Sequence, residues 1–268
     1  MGPALLGGGK SGAQPAFPAA FKIKEAYVMK YSHTLTGVFL SRPNRFIAHV
    51  DVGGKTVVCH VKNTGRCREL LLPGVKVVLE GHPGWEAAGR KTGYDLIAVY
   101  KGERLINMDS QAPNQAAWEW ITSPAAPGLL CPGARILEPR REVRRGDSRF
   151  DLAFTLALPS GTARPAFMEV KGVTLEENGI AMFPDAPTER GIKHLHGLQA
   201  AVRDGYMAWV LFVVQMKGMR LFTPNVRTHP AFGEALKNAR NSGVGVLAVD
   251  CLVGEDFMVM DQEVAVRI

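Results

Sequence analysis

The 268-residue chain is long enough for two modest domains, and its composition is that of an ordinary globular protein. Lys and Arg number 32 against 25 Asp and Glu, a net charge of +7 that favours a polyanionic partner. No apolar run approaches the roughly 20 residues of a membrane helix, the longest being strand-sized, such as Trp209–Val214.

Residues 1–20, rich in Gly, Ala and Pro, read as a flexible tail, with no basic segment followed by an apolar core. Residues 21–110 read as one β domain. Its expected strands are 21–28, Gly37–Leu40, Phe46–Val52, Thr56–Val61, Val75–Leu79 and Tyr94–Tyr100, separated by turn signals such as Gly53-Gly54 and Pro73-Gly74. Short strands without long helices between them suit a small closed barrel. Arg42, Arg45, Lys62, Asn63, Arg66 and Arg68 cluster at its strand ends with Phe46 alongside, a set suited to phosphate contacts and base stacking. The cysteines, Cys59, Cys67, Cys131 and Cys251, lack metal-ligand spacing and read as reduced thiols of a cytoplasmic protein.

Residues 111–268 read as a second, α/β domain. A helix is expected over Asn114–Ile121, then a loop over Ser123–Gly128. Six arginines against three acids mark 135–149 as a charged edge strand or a phosphate track. Phe150–Leu158 and Ala166–Leu175 read as the arms of a hairpin around the turn residues 159–165. Glu169 and Lys171 then share one face, and folding the hairpin about 161–162 sets Asp151 opposite positions 171–173. Apolar residues Ile192, Leu195, Leu198 and Val202 mark a helix from Thr188 to Arg203, with Thr188 as its N-cap. A buried strand Met207–Gln215, a helix Phe232–Asn241 and a strand Val244–Asp250 complete a mixed sheet.

Two carboxylates held together repel unless a proton or cation intervenes, so Asp151 and Glu169 invite a hard divalent ion. Mg²⁺, or Mn²⁺, would take one or two carboxylates, water, and a carbonyl such as that of Val170. Lys171 would orient or deprotonate the nucleophile in phosphodiester hydrolysis. Asp151, Glu169 and Lys171 are thus the candidate catalytic residues. A bare Asp…Glu-x-Lys string is short enough to describe a surface salt bridge, and the surroundings carry the further weight. Glu142, just upstream, could add an accessory ligand. Asp185, Arg190, Lys193 and His194, at the opening of the following helix, could support substrate phosphate.

Longer strings bear on this reading. Ser148-Arg149-x-Asp151, Glu169-Val170-Lys171-x-Val173-Thr174-Leu175 and Phe183-Pro184-Asp185-Ala186-x-Thr188-Glu189-Arg190-Gly191-x-Lys193-His194-Leu195 occur in that order, after Arg42-Pro43-Asn44-Arg45-Phe46 and Asn63-Thr64-Gly65. Over about residues 35–252 the chain resembles the sugar fermentation stimulation protein A family. The resemblance implies an N-terminal OB-like β-barrel, a C-terminal PD-(D/E)xK nuclease-like α/β domain with a mixed sheet, and DNA binding. The expected partner is DNA without sequence preference, gripped by Arg42, Arg45, Phe46, Lys62, Asn63, Arg66 and Arg149. The alternative is a DNA-binding regulator, of sugar metabolism by family name, that keeps the metal or phosphate site and does not cut.

Overall fold

The structure, a computed structural model, describes residues 28–63, 65 and 67–268. The expected strand over 21–28 and the residue Arg66 therefore lie largely or wholly outside the described residues. The barrel is built from β2 (Thr34–Asn44), β3 (Ile47–Val52), β4 (Lys55–Val61), β5 (Lys76–Gly81) and β6 (Tyr94–Lys101). These follow β1 (Met29–Lys30), and β7 (Arg104–Asn107) extends the sheet beyond β6. Antiparallel neighbours run β4-β3-β2-β5-β6, and a parallel β4–β6 pairing closes the ring. Alternation along the strands sends Phe39, Val50, Val61, Leu79 and Leu96 inward, each nearly fully buried.

The second domain begins with α1 (Ala112–Ile121), two residues earlier than expected because Pro113 fits the first turn, where its missing N–H costs nothing. A short helix, α2 (Ala126–Leu130), occupies the expected loop. The main sheet then forms from β8 (Arg135–Arg145), β9 (Ser148–Ala157) and β10 (Ala163–Val173). A small sheet holds β11 (Leu175–Glu177), β12 (Ile180–Phe183) and a later strand. The chain continues through α3 (Glu189–Arg203), β13 (Met207–Val214), β14 (Leu221–Pro224, the third strand of the small sheet), α4 (Pro230–Asn241), β15 (Gly245–Val253) and β16 (Phe257–Glu263). The main sheet runs β1-β16-β15-β13-β10-β9-β8, with β10, β13 and β15 parallel and the flanking strands antiparallel. Thus β1 belongs to this sheet and not to the barrel: Met29 pairs with Met258. Both faces are covered. Phe150, Phe212, Leu198 and Phe232 pack on the α3/α4 side, while Leu152, Leu211, Trp120 and Ile121 pack on the α1 side. That explains why β13 is apolar throughout. Of the two helix tryptophans Trp120 enters this core; Trp118 lies half-buried beneath the Arg141 guanidinium of β8.

Buried polar contacts fasten the two domains. Asp109, just past the barrel, is 1% exposed; its carboxylate takes the Lys62 ammonium at 2.6 Å, the Gln111 amide and the Tyr31 hydroxyl. Gln215, at the end of β13, donates to the Asn107 and Asp109 carbonyls. Lys62 is therefore an internal tie, and its expected role as a phosphate contact is corrected: the ammonium is spent on a carboxylate that water cannot reach. Lys62→Met should cost about 3–5 kcal/mol, because a buried carboxylate would lose its cation. Denaturant unfolding measures this; a loss within about 0.5 kcal/mol, the range of surface substitutions, would return Lys62 to the surface.

Candidate active site

The β9–β10 hairpin turns one residue earlier than sequence spacing suggests. Leu152 pairs with Met168 and Ala153 with Phe167, so the register carries Asp151 to the level of Glu169, two residues from the expected 171–173. The reason is the turn: Leu158 and Gly161 close it tightly, with Gly161 at a positive φ of 85°. The shift brings the carboxylates closer. Asp151 Oδ2 accepts the Val170 amide at 2.8 Å, and Glu169 and Lys171 stand together on one face. Val170 points its side chain into the opposite core, which fixes the strand between them.

Helix α3 supplies the fourth member. Thr188 caps it through the Gly191 amide at 3.0 Å, and the first turns carry Arg190, Lys193 and His194. His194 Nδ1 contacts Glu169 Oε1, which also takes the Lys171 ammonium, and Lys171 Nζ lies 3.1 Å from His194 Nδ1. Arg190 Nε donates to His194 Nε2 at 3.3 Å. With Nε2 accepting, the proton sits on Nδ1 and is donated to Glu169; Lys171 then bonds to the carboxylate and not to the ring. His194 is thus part of the carboxylate cluster, a closer role than the phosphate support expected of it. Lys193 is exposed on the same helix.

One oxygen decides the character of this site. Glu169 is 1% exposed, and while Oε1 has two donors, Oε2 is buried with none among the described residues. Burial alone would raise the Glu169 carboxyl, but the His194 hydrogen bond and the Lys171 charge outweigh it and hold Glu169 below the usual range. Asp151 is held above its usual range, first by burial and then by the Glu169 charge. The pair is split, one carboxylate firmly ionised and the other strained in its ionised form. An orphaned buried oxygen beside a second carboxylate fits a hard cation with oxygen ligands, so these residues suit Mg²⁺ or Mn²⁺.

A raised carboxyl pKa on folding means that the folded state favours the protonated form, so ionised Asp151 is a cost at neutral pH. Asp151→Asn should raise the thermal midpoint in EDTA near pH 7, and the gain should shrink as pH falls through the raised carboxyl pKa. The same variant should bind divalent ions poorly. A lowered midpoint at pH 7 would show that the ionised group stabilises the fold.

Asn114, read from the sequence only as a helix residue, donates from Nδ2 to Asp151 Oδ1 at 3.1 Å. Helix α1 aims it there because its start is tied to Asp109. A polar residue in the first turn of a helix that covers the hairpin was the available signal. Asn114→Ala should weaken divalent-ion binding by about 10–100-fold, as loss of an outer partner does, with little change in folding; calorimetry checks it. Unchanged affinity would make the amide incidental.

Other expected site residues sit elsewhere. Glu142 is exposed, at a positive φ of 54°, at the register position across from Asp151, and its carboxylate pairs with Arg149. Arg149 is correspondingly engaged, at the surface. Asp185 is exposed at the domain junction, its Oδ2 2.5 Å from where a Cβ on Gly65 would stand. A larger residue at 65 would have to displace the Asp185 carboxylate. Burial, then Asp185, push the Cys67 thiol up to about 12. Arg42 donates to the Gly65, Asn63 and Arg45 carbonyls, and Asn63 bridges the Gly65 amide and the Met108 carbonyl. Both shape the backbone at Asn63 and Gly65. Arg45 remains exposed, its guanidinium 5.0 Å from the centre of the Phe46 ring. In a rival cation cluster, Glu80, His82 and Asp95, the Asp95 carboxylate is already engaged: Arg90 donates to it at 2.6 Å and His82 lies 3.0 Å from it.

A closed OB barrel fastened to a mixed-sheet α/β domain with an Asp–Glu–Lys–His cluster is the class of protein that fold and site define. Residues 40–108 match the family model described as the SfsA N-terminal OB domain, and 111–257 the sugar fermentation stimulation protein RE domain. The chain belongs to the sugar fermentation stimulation protein family. It is 52% identical over 240 residues to a homolog from Desulfitobacterium hafniense strain Y51, covering 90% of this chain and 99% of that one. A Ruminiclostridium cellulolyticum homolog is 49% identical, covering 90% and 100%. The solved structure of Pyrococcus furiosus SfsA in complex with Ca²⁺ is similar with a TM-score of 0.75 at 29% identity, covering 90% of this chain and 98% of that one.

Proposed function

We propose that this chain binds DNA and hydrolyses phosphodiester bonds at a Mg²⁺- or Mn²⁺-dependent site of PD-(D/E)xK type. Glu169 Oε2 carries the reading, because a buried carboxylate oxygen without a donor is costly unless a cation meets it. Asp151, Glu169 and the Val170 carbonyl would hold the ion. When bound, a divalent ion acidifies its water and draws charge from a phosphate oxygen. Lys171 would steer or deprotonate that water, while His194 and Arg190 hold Glu169 in place. The start of α3, with Lys193 exposed on it, would attract the phosphate. The Ca²⁺ named for the Pyrococcus furiosus relative supports an ion with oxygen ligands in this family.

A second reading is a DNA-binding regulator that does not cut. The observation favouring it is that Lys171 Nζ is already engaged by the Glu169 carboxylate. Single-stranded, duplex and branched DNA incubated with purified protein in Mg²⁺, Mn²⁺ or EDTA separates the two. Metal-dependent cleavage that vanishes in Glu169→Gln is expected. DNA binding without cleavage under every metal condition would favour the regulator.

A further inference from the structure

We propose that the barrel groove grips an unpaired polynucleotide strand and leads it towards the carboxylate site. This rests on the functional reading above and names the form of nucleic acid that it takes. The groove, about 650 Å³, lies between the end of β2 and the segment 65–73. Its floor is apolar: Phe39, Leu40, Leu71 and Pro73, with Leu40 39% exposed. Its rim is cationic, with Arg45 and Arg68 both exposed. Phe46, 46% exposed, stands next to the rim beneath the Arg45 guanidinium.

This pairing of surfaces selects against a duplex. A duplex offers a flat binding surface its phosphates and sugars and keeps its base faces stacked, so exposed leucine and phenylalanine would gain nothing from it. An unpaired strand brings both matching parts, phosphates for the arginines and base faces for the aromatic and aliphatic floor. Charge complementarity with the rim and with the net +7 of the chain points to the same occupant. The wall is set before the strand arrives. Arg42 holds the Asn63, Gly65 and Arg45 carbonyls, so these backbone positions are fixed without the strand.

Direction comes from Gly65. It lines the groove and also lies against the Asp185 carboxylate, from the loop that opens α3. The helix behind that loop carries Arg190 and His194, and His194 contacts Glu169. Groove and carboxylates are therefore linked through one contact of the two domains.

The test is fluorescence anisotropy of the full chain in EDTA, with a labelled single-stranded DNA oligomer and its duplex. Metal chemistry is then silent, so grip is read apart from cleavage. The single strand should bind at least about tenfold tighter than the duplex. Phe46→Ala should weaken single-strand binding by about five- to hundredfold, the range for one stacked base, and leave duplex binding nearly unchanged. Arg45→Ala and Arg68→Ala should each lower the salt slope by about one unit. These side chains are exposed, so folding should survive, and divalent-ion titration of Phe46→Ala should match wild type. Equal or tighter duplex binding, or a Phe46→Ala protein that binds single strands as wild type does, overturns the proposal. If metal binding at Glu169 fails while the single-strand preference holds, the hydrolytic reading falls and the groove stands.

Discussion

Replacing Lys171 by alanine should leave divalent-ion and DNA binding near wild type and lower DNA cleavage by about 10²–10⁴-fold, the usual loss on removing a positioned acid–base group. The ammonium is a donor and not a ligand, and it rests on Glu169 Oε1, the oxygen shared with His194. Removing it leaves Oε2 and Asp151 to meet a cation. His194 still restrains Glu169, so the carboxylate should hold its orientation. Single-turnover cleavage rates with saturating Mn²⁺, beside calorimetric metal titration, separate the two effects. A variant that cuts at the wild-type rate would remove Lys171 from the chemistry; one that loses metal affinity as well would make it a structural prop.

Glu169→Gln should abolish divalent-ion binding, by more than the roughly 100-fold that loss of an outer-shell partner can cost. The change is nearly isosteric. The amide oxygen can still accept from His194 and Lys171 at the Oε1 position, while an NH₂ group replaces the orphaned Oε2. A donor now faces the cation position, and the anionic charge is gone. Cleavage should disappear with the metal. Thermal unfolding in EDTA guards against misfolding as the cause, since Glu169 is buried between β10 and α3. Retained affinity would mean that the ion sits elsewhere.

Much of this fold is legible because local chemistry and tertiary packing agree. The apolar run of β13, the Thr188 cap and the barrel strands each follow from period and turn residues. Register is less legible. Spacing placed Asp151 opposite 171–173, whereas turn closure at Gly161 placed it beside Glu169, and nothing local weighs one turn geometry against another. Long-range pairings were also hidden. Met29 and Lys30 join a strand more than two hundred residues away, and two residues carry no pattern. At the site, alternation put Glu169 and Lys171 on one face, while Asp151 came from folding the hairpin and the longer strings around it carried the weight. Asn114 was not evident, because its partner lies across a helix–sheet contact. The partners of basic residues were hidden for the same reason: a cation in sequence does not reveal whether its partner is solvent, a carbonyl or Asp109. Lys62 and Arg42 found partners inside the protein.

The most direct measurement is X-ray diffraction from crystals soaked in Mn²⁺, collected where the ion scatters anomalously. The account predicts one strong anomalous peak within coordination distance of Glu169 Oε2 and of Asp151, lost in Glu169→Gln crystals. A peak at Glu80, His82 and Asp95 instead, or well-ordered carboxylates at Asp151 and Glu169 with no peak between them, would contradict it.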